Sequence, residues 1–85
     1  MIKKHYTCPV CGFDRLREPP YGPANEPSYE ICRCCGFEFG FDGENSIIIF
    51  SEFRQRWIDA GVPWFISTLK PKNWDYQKQL KNIKS

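Results

Sequence analysis

Two short segments of the chain, residues 8–14 and residues 32–38, repeat the same pattern of residue types. Each has two cysteines three positions apart, followed by a glycine, an aromatic residue and an acid. Two thiolates at this spacing converge on one ion only if the backbone turns tightly, and the glycine allows the positive φ that such a turn needs. Two turns of this kind facing each other supply four sulfurs in a tetrahedron, which is the closed arrangement of a structural zinc site. The repeat therefore predicts four metal ligands: Cys8, Cys11, Cys32 and Cys35.

The chain has a fifth cysteine, and the repeat indicates its role. We call residues 8–14 the first knuckle and residues 32–38 the second knuckle. Aligning the two places Cys34 opposite Val10, a position without a ligand. We therefore expect Cys34 to lie outside the ligand set, with the alternative that it replaces one of its neighbours. Five reduced thiols without metal are the competing interpretation, but two C-x-x-C pairs separated by 20 residues are a specific metal-binding pattern.

The predicted ion is one zinc per chain. Zinc is redox-inert and borderline-soft, which suits four thiolates, and it is usual in such knuckles. Iron is the rival, because a rubredoxin carries a single iron on two C-x-x-C-G turns and this sequence satisfies that minimal pattern.

The length of the chain makes a metal a natural expectation. A domain of 85 residues is near the limit at which an apolar core alone outweighs chain entropy, so we expect a metal ion or another cross-link to add stability. No apolar stretch follows the charged start of the chain, and no run is long enough to cross a membrane. We therefore expect a cytoplasmic protein without a membrane partner, in a reducing compartment where cysteines bind metal rather than form disulfides.

The rest of the chain divides around the knuckles. Residues 17–27 hold four prolines and predict a solvated loop. Residues 28–31 and 38–41 alternate like strands, the second with its aromatic residues on one side. Apolar residues at helical spacing predict a helix that ends before Gly61, and we favour a start at Ser46 over a later start at Ser51.

Asp75 is a good N-cap for a short last helix that reaches about Ile83. The expected fold class is thus a small α+β zinc ribbon, with two zinc knuckles on short antiparallel strands, one packed helix and a short C-terminal helix. We expect residues 1–85 to form a single domain, with a metal-binding ribbon at 6–41 and a helical C-terminal extension at 46–85.

Three segments, residues 29–40, 53–58 and 79–83, resemble small uncharacterised bacterial cysteine-rich proteins of a zinc-ribbon or rubredoxin-like type. In those proteins the second turn tends to read C-P-C-C-G, whereas Arg33 stands here in place of the proline. The change should loosen the turn slightly without affecting the ligands. The resemblance implies a small cytosolic metal-binding protein and no settled activity.

Catalysis has little support in the sequence. Metal-assisted chemistry needs an open coordination position, and four cysteines leave none. His5 is the only histidine and is expected at the surface rather than as a ligand, and it has no partners for acid–base or nucleophilic catalysis. We therefore expect that the chain is not an enzyme, and that its metal is structural.

The charge distribution bears on partners. Residues 1–45 carry five basic and seven acidic residues, whereas residues 46–85 carry seven basic and three acidic ones. We expect a zinc-stabilised module that binds another protein. One alternative is a nucleic-acid-associated ribbon that uses the basic C-terminal half, although a solvated lysine face is the commoner meaning of such a run. The other is a rubredoxin-like electron carrier with iron. The basic candidates of the C-terminal half are Lys70, Lys72, Lys78, Lys81 and Lys84, with Arg54 and Arg56.

Overall fold

The computed structural model describes residues 4–83. Helix α1 spans Ile47–Asp59 and helix α2 spans Tyr76–Leu80, with one 3₁₀ turn at Ser67–Leu69 between them. Three isolated antiparallel bridges join Tyr6 to Leu16, Tyr21 to Pro27 and Ile31 to Glu38. Within residues 4–83, the strands expected at 28–31 and 38–41 are reduced to one of these bridges. The zinc-ribbon fold class stays a prediction.

Helix α1 has the longer of the two extents considered from the sequence. The Ser46 hydroxyl accepts a hydrogen bond from the backbone N–H of Ile49 at 3.3 Å, which caps the first turn. At the other end, Gly61 has a φ of +95°. Its N–H donates to the carbonyl of Ile58 at 3.0 Å, and the N–H of Val62 donates to the carbonyl of Trp57 at 2.9 Å. These two bonds form a Schellman motif, so the predicted glycine stop is confirmed.

Helix α2 begins as predicted but ends sooner. The Asp75 side chain accepts from the N–H of Gln77 at 2.9 Å and caps the helix. After Leu80 the chain continues in tight turns, with the N–H of Ile83 bonded to the carbonyl of Leu80 at 3.1 Å. The predicted end near Ile83 is therefore wrong by about one turn.

The core is built around the cysteines. All five are buried, together with two aliphatic and five aromatic side chains from the knuckles, the segment after each knuckle and α1. Aromatic rings pack edge-to-face on one another, as between Phe37 and Phe53, whose centroids lie 5.0 Å apart at 85°. The buried side chains other than cysteine are Val10, Phe13, Leu16, Phe37, Phe39, Phe50 and Trp57.

Phe41 departs from the expected alternation. Phe39 is fully buried, but Phe41, two positions later, is 78% exposed. Gly40 between them has a φ of +100°, and the N–H groups of Phe41 and Asp42 both bond to the carbonyl of Glu38. The backbone turns there instead of continuing as a strand, so Phe41 does not share a side with Phe39.

The proline-rich loop at 17–27 is held to the core by one side chain. The Tyr21 hydroxyl donates to the carbonyl of Gly43 at 3.3 Å, and its ring lies 5.9 Å from that of Phe39.

No helix within residues 4–83 has both the length and the apolar character needed to span a membrane.

A comparison of two glycines tests how closely the C-terminal part packs on the first knuckle. Gly12 and Gly61 both have positive φ, but a Cβ on Gly12 would overlap the backbone carbonyl of Gln79 in α2, whereas a Cβ on Gly61 meets nothing within 4 Å. We predict that Gly61→Ala lowers the free energy of unfolding by about 1–2 kcal/mol through backbone strain alone. Gly12→Ala should cost roughly 1–3 kcal/mol more, because α2 must move. Urea denaturation of the metal-loaded variants measures both, and equal losses would contradict this packing.

Candidate metal centre

The sequence repeat is also a structural repeat. In the first knuckle, the N–H of Gly12 donates to the carbonyl of Cys8 at 2.9 Å, and in the second the N–H of Gly36 donates to the carbonyl of Cys32 at the same distance. Both glycines have a φ of +84°. The N–H of each knuckle's first cysteine bonds to the carbonyl of the phenylalanine five positions later. The two segments thus form the same turn, which directs both cysteines of each pair to one side.

The two knuckles bring four sulfur atoms together. The Sγ atoms of Cys8, Cys11, Cys32 and Cys35 all lie within 4.8 Å of one another, and all four residues are buried. The Sγ atoms of Cys8 and Cys35 are 3.9 Å apart, and those of Cys11 and Cys32 are 3.6 Å apart. A regular tetrahedron with metal–sulfur bonds of about 2.3 Å has edges of about 3.8 Å. The observed separations agree with this value, so the cluster is compatible with a metal ion at its centre.

The thiols are free, and a bound cation would stabilise the thiolate form of the buried group. None of the five cysteines is in a disulfide. Burial, followed by the contact with the Cys32 side chain, raises the pKa of the Cys11 thiol far above its ordinary value. Four thiolates in such a site would repel one another and would lack water to solvate them. A bound dication removes both penalties, because it is the opposite charge that the thiolates need.

Two other candidates from the sequence lie outside the cluster. Cys34 is fully buried, and its Sγ accepts a hydrogen bond from the side-chain amide of Gln79 at 3.3 Å. Val10, at the matching position of the first knuckle, is also fully buried. His5 is exposed and is not part of the four-residue group. The structure therefore brings the four predicted ligands together in one group, and this group includes neither Cys34 nor His5.

Three polar side chains of the C-terminal half bind backbone carbonyls of the first knuckle. The Arg54 guanidinium donates to the carbonyls of Val10 at 2.6 Å and Pro9 at 3.0 Å. Gln79 donates to the carbonyl of Cys11 at 3.0 Å, and Asn82 donates to that of Gly12 at 2.9 Å. These hydrogen bonds tie the backbone of the first knuckle to residues that lie far along the chain.

The second knuckle is covered by the segment after α1. The N–H groups of Phe65 and Ile66 donate to the carbonyls of Cys34 and Arg33 at 2.8 and 3.0 Å. The Phe65 ring lies over Gly36, where an added Cβ would approach its Cδ1 atom to 3.0 Å. Both knuckles are thus supported by residues far along the chain.

Sequence reasoning did not assign these supporting roles. Arg54 stands four positions after the buried Phe50, on the helix face that meets the ribbon, and this spacing is the one signal that could have indicated it. Gln79 and Asn82 carry no comparable signal, because a polar residue in a short terminal helix is ordinarily solvated.

The basic C-terminal half offers fewer free charges than its composition suggests. The guanidinium of Arg54 is engaged with the first knuckle. The guanidinium of Arg56 lies 5.9 Å from the centre of the Phe53 ring, and the ammonium of Lys70 lies 5.7 Å from that of Trp74. Arg56 and Lys70 nevertheless stay exposed, so their charges are available at the surface, whereas that of Arg54 is engaged within the protein.

The chain is similar to two proteins of Bacillus subtilis (strain 168) that are themselves uncharacterised. It is 29% identical to YoaQ over 73% of this chain and 64% of YoaQ, so it spans less than two thirds of that relative's length. It is 27% identical to YozI over 95% of this chain and 74% of YozI. No family model and no solved structure matches the chain. The likeness is therefore to uncharacterised bacterial proteins, and the zinc-ribbon or rubredoxin-like type stays a prediction.

Proposed function

We propose that the chain is a non-catalytic protein in which Cys8, Cys11, Cys32 and Cys35 bind one structural zinc ion, and that the module so formed binds another protein. The observation that carries the first part is the buried group of four sulfurs, two of whose separations match the edge of a tetrahedral site. Bound zinc would cross-link the two knuckles and supply folding free energy.

The closed ligand set supports a structural role over a catalytic one. A catalytic zinc keeps a position open for water or substrate, whereas four thiolates fill a tetrahedron. Three of the four cysteines are fully buried and Cys35 is 9% exposed, so a substrate has no direct approach to the sulfurs.

Iron in the same four-sulfur site is the alternative, and it would make the chain a rubredoxin-like electron carrier. Zinc and iron both accept four thiolate ligands in a tetrahedron, so the distances between the sulfurs do not distinguish the two metals. The preference for zinc rests on its common use in closed cysteine sites. The nucleic-acid alternative through the basic C-terminal half is weaker, because the guanidinium of Arg54 is bound to carbonyls of the first knuckle.

Metal analysis of three proteins tests the site. We expect native mass spectrometry of the wild type to find one zinc per chain, in a protein without visible colour. Cys34→Ser should retain the zinc, because Cys34 lies outside the group. Cys35→Ser should lose it and unfold, because it removes one ligand and leaves the others uncompensated. A red protein with iron would contradict zinc, and a Cys35→Ser variant that stays folded with zinc would contradict the ligand assignment.

Exposed apolar side chains support the partner proposal. Phe41 is 78%, Ile47 84% and Ile48 70% exposed, and all three lie between the end of the second knuckle and the first turn of α1. A contiguous apolar patch often marks an interaction site, and large exposed apolar residues so close together along the chain are candidates for one. The neighbouring Ile49, by contrast, packs against the core.

Site-specific crosslinking tests this surface. A photoreactive phenylalanine analogue at Ile48 should give a discrete adduct with one other protein in native cells. The same analogue at Asp59, which is exposed at the other end of α1, about 16 Å along the helix axis, should give none. A substitution Ile47→Ser in the Ile48 crosslinking protein should weaken the adduct, since both side chains would contact the partner. The absence of an adduct at Ile48, or the same adduct at both positions, would contradict the proposal.

A further inference from the structure

The structure gathers basic residues from distant parts of the acidic N-terminal half. Tyr6 and Leu16 exchange two backbone hydrogen bonds, at 3.0 and 2.9 Å. Their chain neighbours His5 and Arg17 therefore stand across from each other in the antiparallel pairing. Leu16 points into the core and is fully buried, whereas His5 and Arg17 are exposed.

His5 and Arg17 line a cleft of about 420 Å³, together with Lys4 and Arg33. The four lining residues that the structure describes are all of basic types. Arg33 comes from the second knuckle, between two of the cysteines, and completes the described lining. Within residues 4–83 no acidic side chain belongs to this lining.

Two of the cations are held in place by aromatic rings. The guanidinium carbon of Arg33 lies 5.3 Å from the centre of the Phe13 ring, and the ammonium of Lys4 lies 5.5 Å from that of Tyr6. The Arg33 guanidinium also donates to the carbonyl of Arg15. A guanidinium has five N–H donors, so this contact fixes its orientation and leaves other donors for a ligand.

Two acidic side chains lie close to residues of the cleft but are not part of its described lining. The Glu30 carboxylate accepts from the backbone N–H groups of Arg17, at 3.0 and 3.2 Å, and of Glu18, at 3.1 Å. It is thus engaged by the backbone beside Arg17. Asp14 lines a second cleft that adjoins the first at Arg33 and also contains Arg15.

We propose that the cleft lined by Lys4, His5, Arg17 and Arg33 binds a phosphate group. Its volume is in the range of small-ligand sites. Two guanidinium groups offer the paired donors that match phosphate oxygens, and Lys4 adds a point charge. The site is distinct from the basic C-terminal run, and it does not depend on which metal the cysteines bind.

The same cations could instead balance the net negative charge of the complex that a metal dication forms with four thiolates. That explanation makes a different prediction: removing them would weaken metal binding and would leave phosphate binding unchanged. A test must therefore follow both quantities in the same variants.

Calorimetric titration of the metal-loaded protein with inorganic pyrophosphate at low salt tests the proposal. The double variant Lys4→Gln/Arg17→Gln removes two charges from the cleft and leaves Arg33 and the knuckles unchanged. The matched control Lys72→Gln/Lys78→Gln removes two exposed charges from the C-terminal half. We expect the cleft variant to bind pyrophosphate about tenfold or more weakly, which corresponds to about 1.4 kcal/mol, and the control to bind within a factor of about two to three.

A second titration with a 5′-phosphorylated single-stranded RNA of eight nucleotides identifies the source of the phosphate. RNA that binds more tightly than pyrophosphate, with the same dependence on Lys4 and Arg17, supports the site and assigns it to nucleic acid. RNA that binds equally or less tightly supports it as a site for a small phosphate compound. The proposal is overturned by no saturable binding of either probe, by equal losses in both double variants, or by loss of metal from the cleft variant with pyrophosphate affinity unchanged.

Discussion

The structure depends on the convergence of four buried sulfur atoms from two identical turns. Each turn directs its cysteines to one side, and the two pairs meet with separations of 3.6 and 3.9 Å across them. Four thiolates so close together repel one another unless a cation lies between them. Among residues 4–83, seven of the twelve buried side chains are not cysteines, which is a small core for a chain of this length. A metal that joins the two turns would therefore supply much of what the apolar core cannot.

The C-terminal half is attached to these turns rather than folded apart from them. Arg54 binds carbonyls of the first knuckle, and Phe65 donates its N–H to the second. Helix α2 has five residues, too few to be stable alone in water. Its position depends on Gln79 and on the space that Gly12 leaves above the first knuckle. Loss of the sulfur cluster should therefore release α2 as well.

Local signals predicted local structure, and most tertiary contacts did not follow from them. The repeat identified the cysteines that meet, and Ser46, Gly61 and Asp75 marked helix ends that the structure contains. The helix ends depend on neighbouring residues alone, whereas the meeting of the four cysteines is the one tertiary contact that the repeat predicted, through the ion they would share. The turn that exposes Phe41 depends on the φ of Gly40, which residue type alone does not determine.

The basic cleft illustrates the same limit at longer range. Net charge counted along residues 1–45 is negative, yet Lys4, Arg17 and Arg33 lie together because one bridge and one knuckle bring them there. Counting along the chain cannot detect such a grouping.

Removal of the metal tests the central claim most directly. The measurement is a titration with a strong chelator, in which released metal and the near-ultraviolet circular dichroism of the buried Trp57 and its aromatic neighbours are followed together. Structural zinc contributes on the order of 10–16 kcal/mol in small peptides, which matches or exceeds the usual stability of a domain. The account predicts that the aromatic signal disappears in proportion to the metal released and returns when zinc is added back. A fully stripped protein with an unchanged aromatic signal would contradict it.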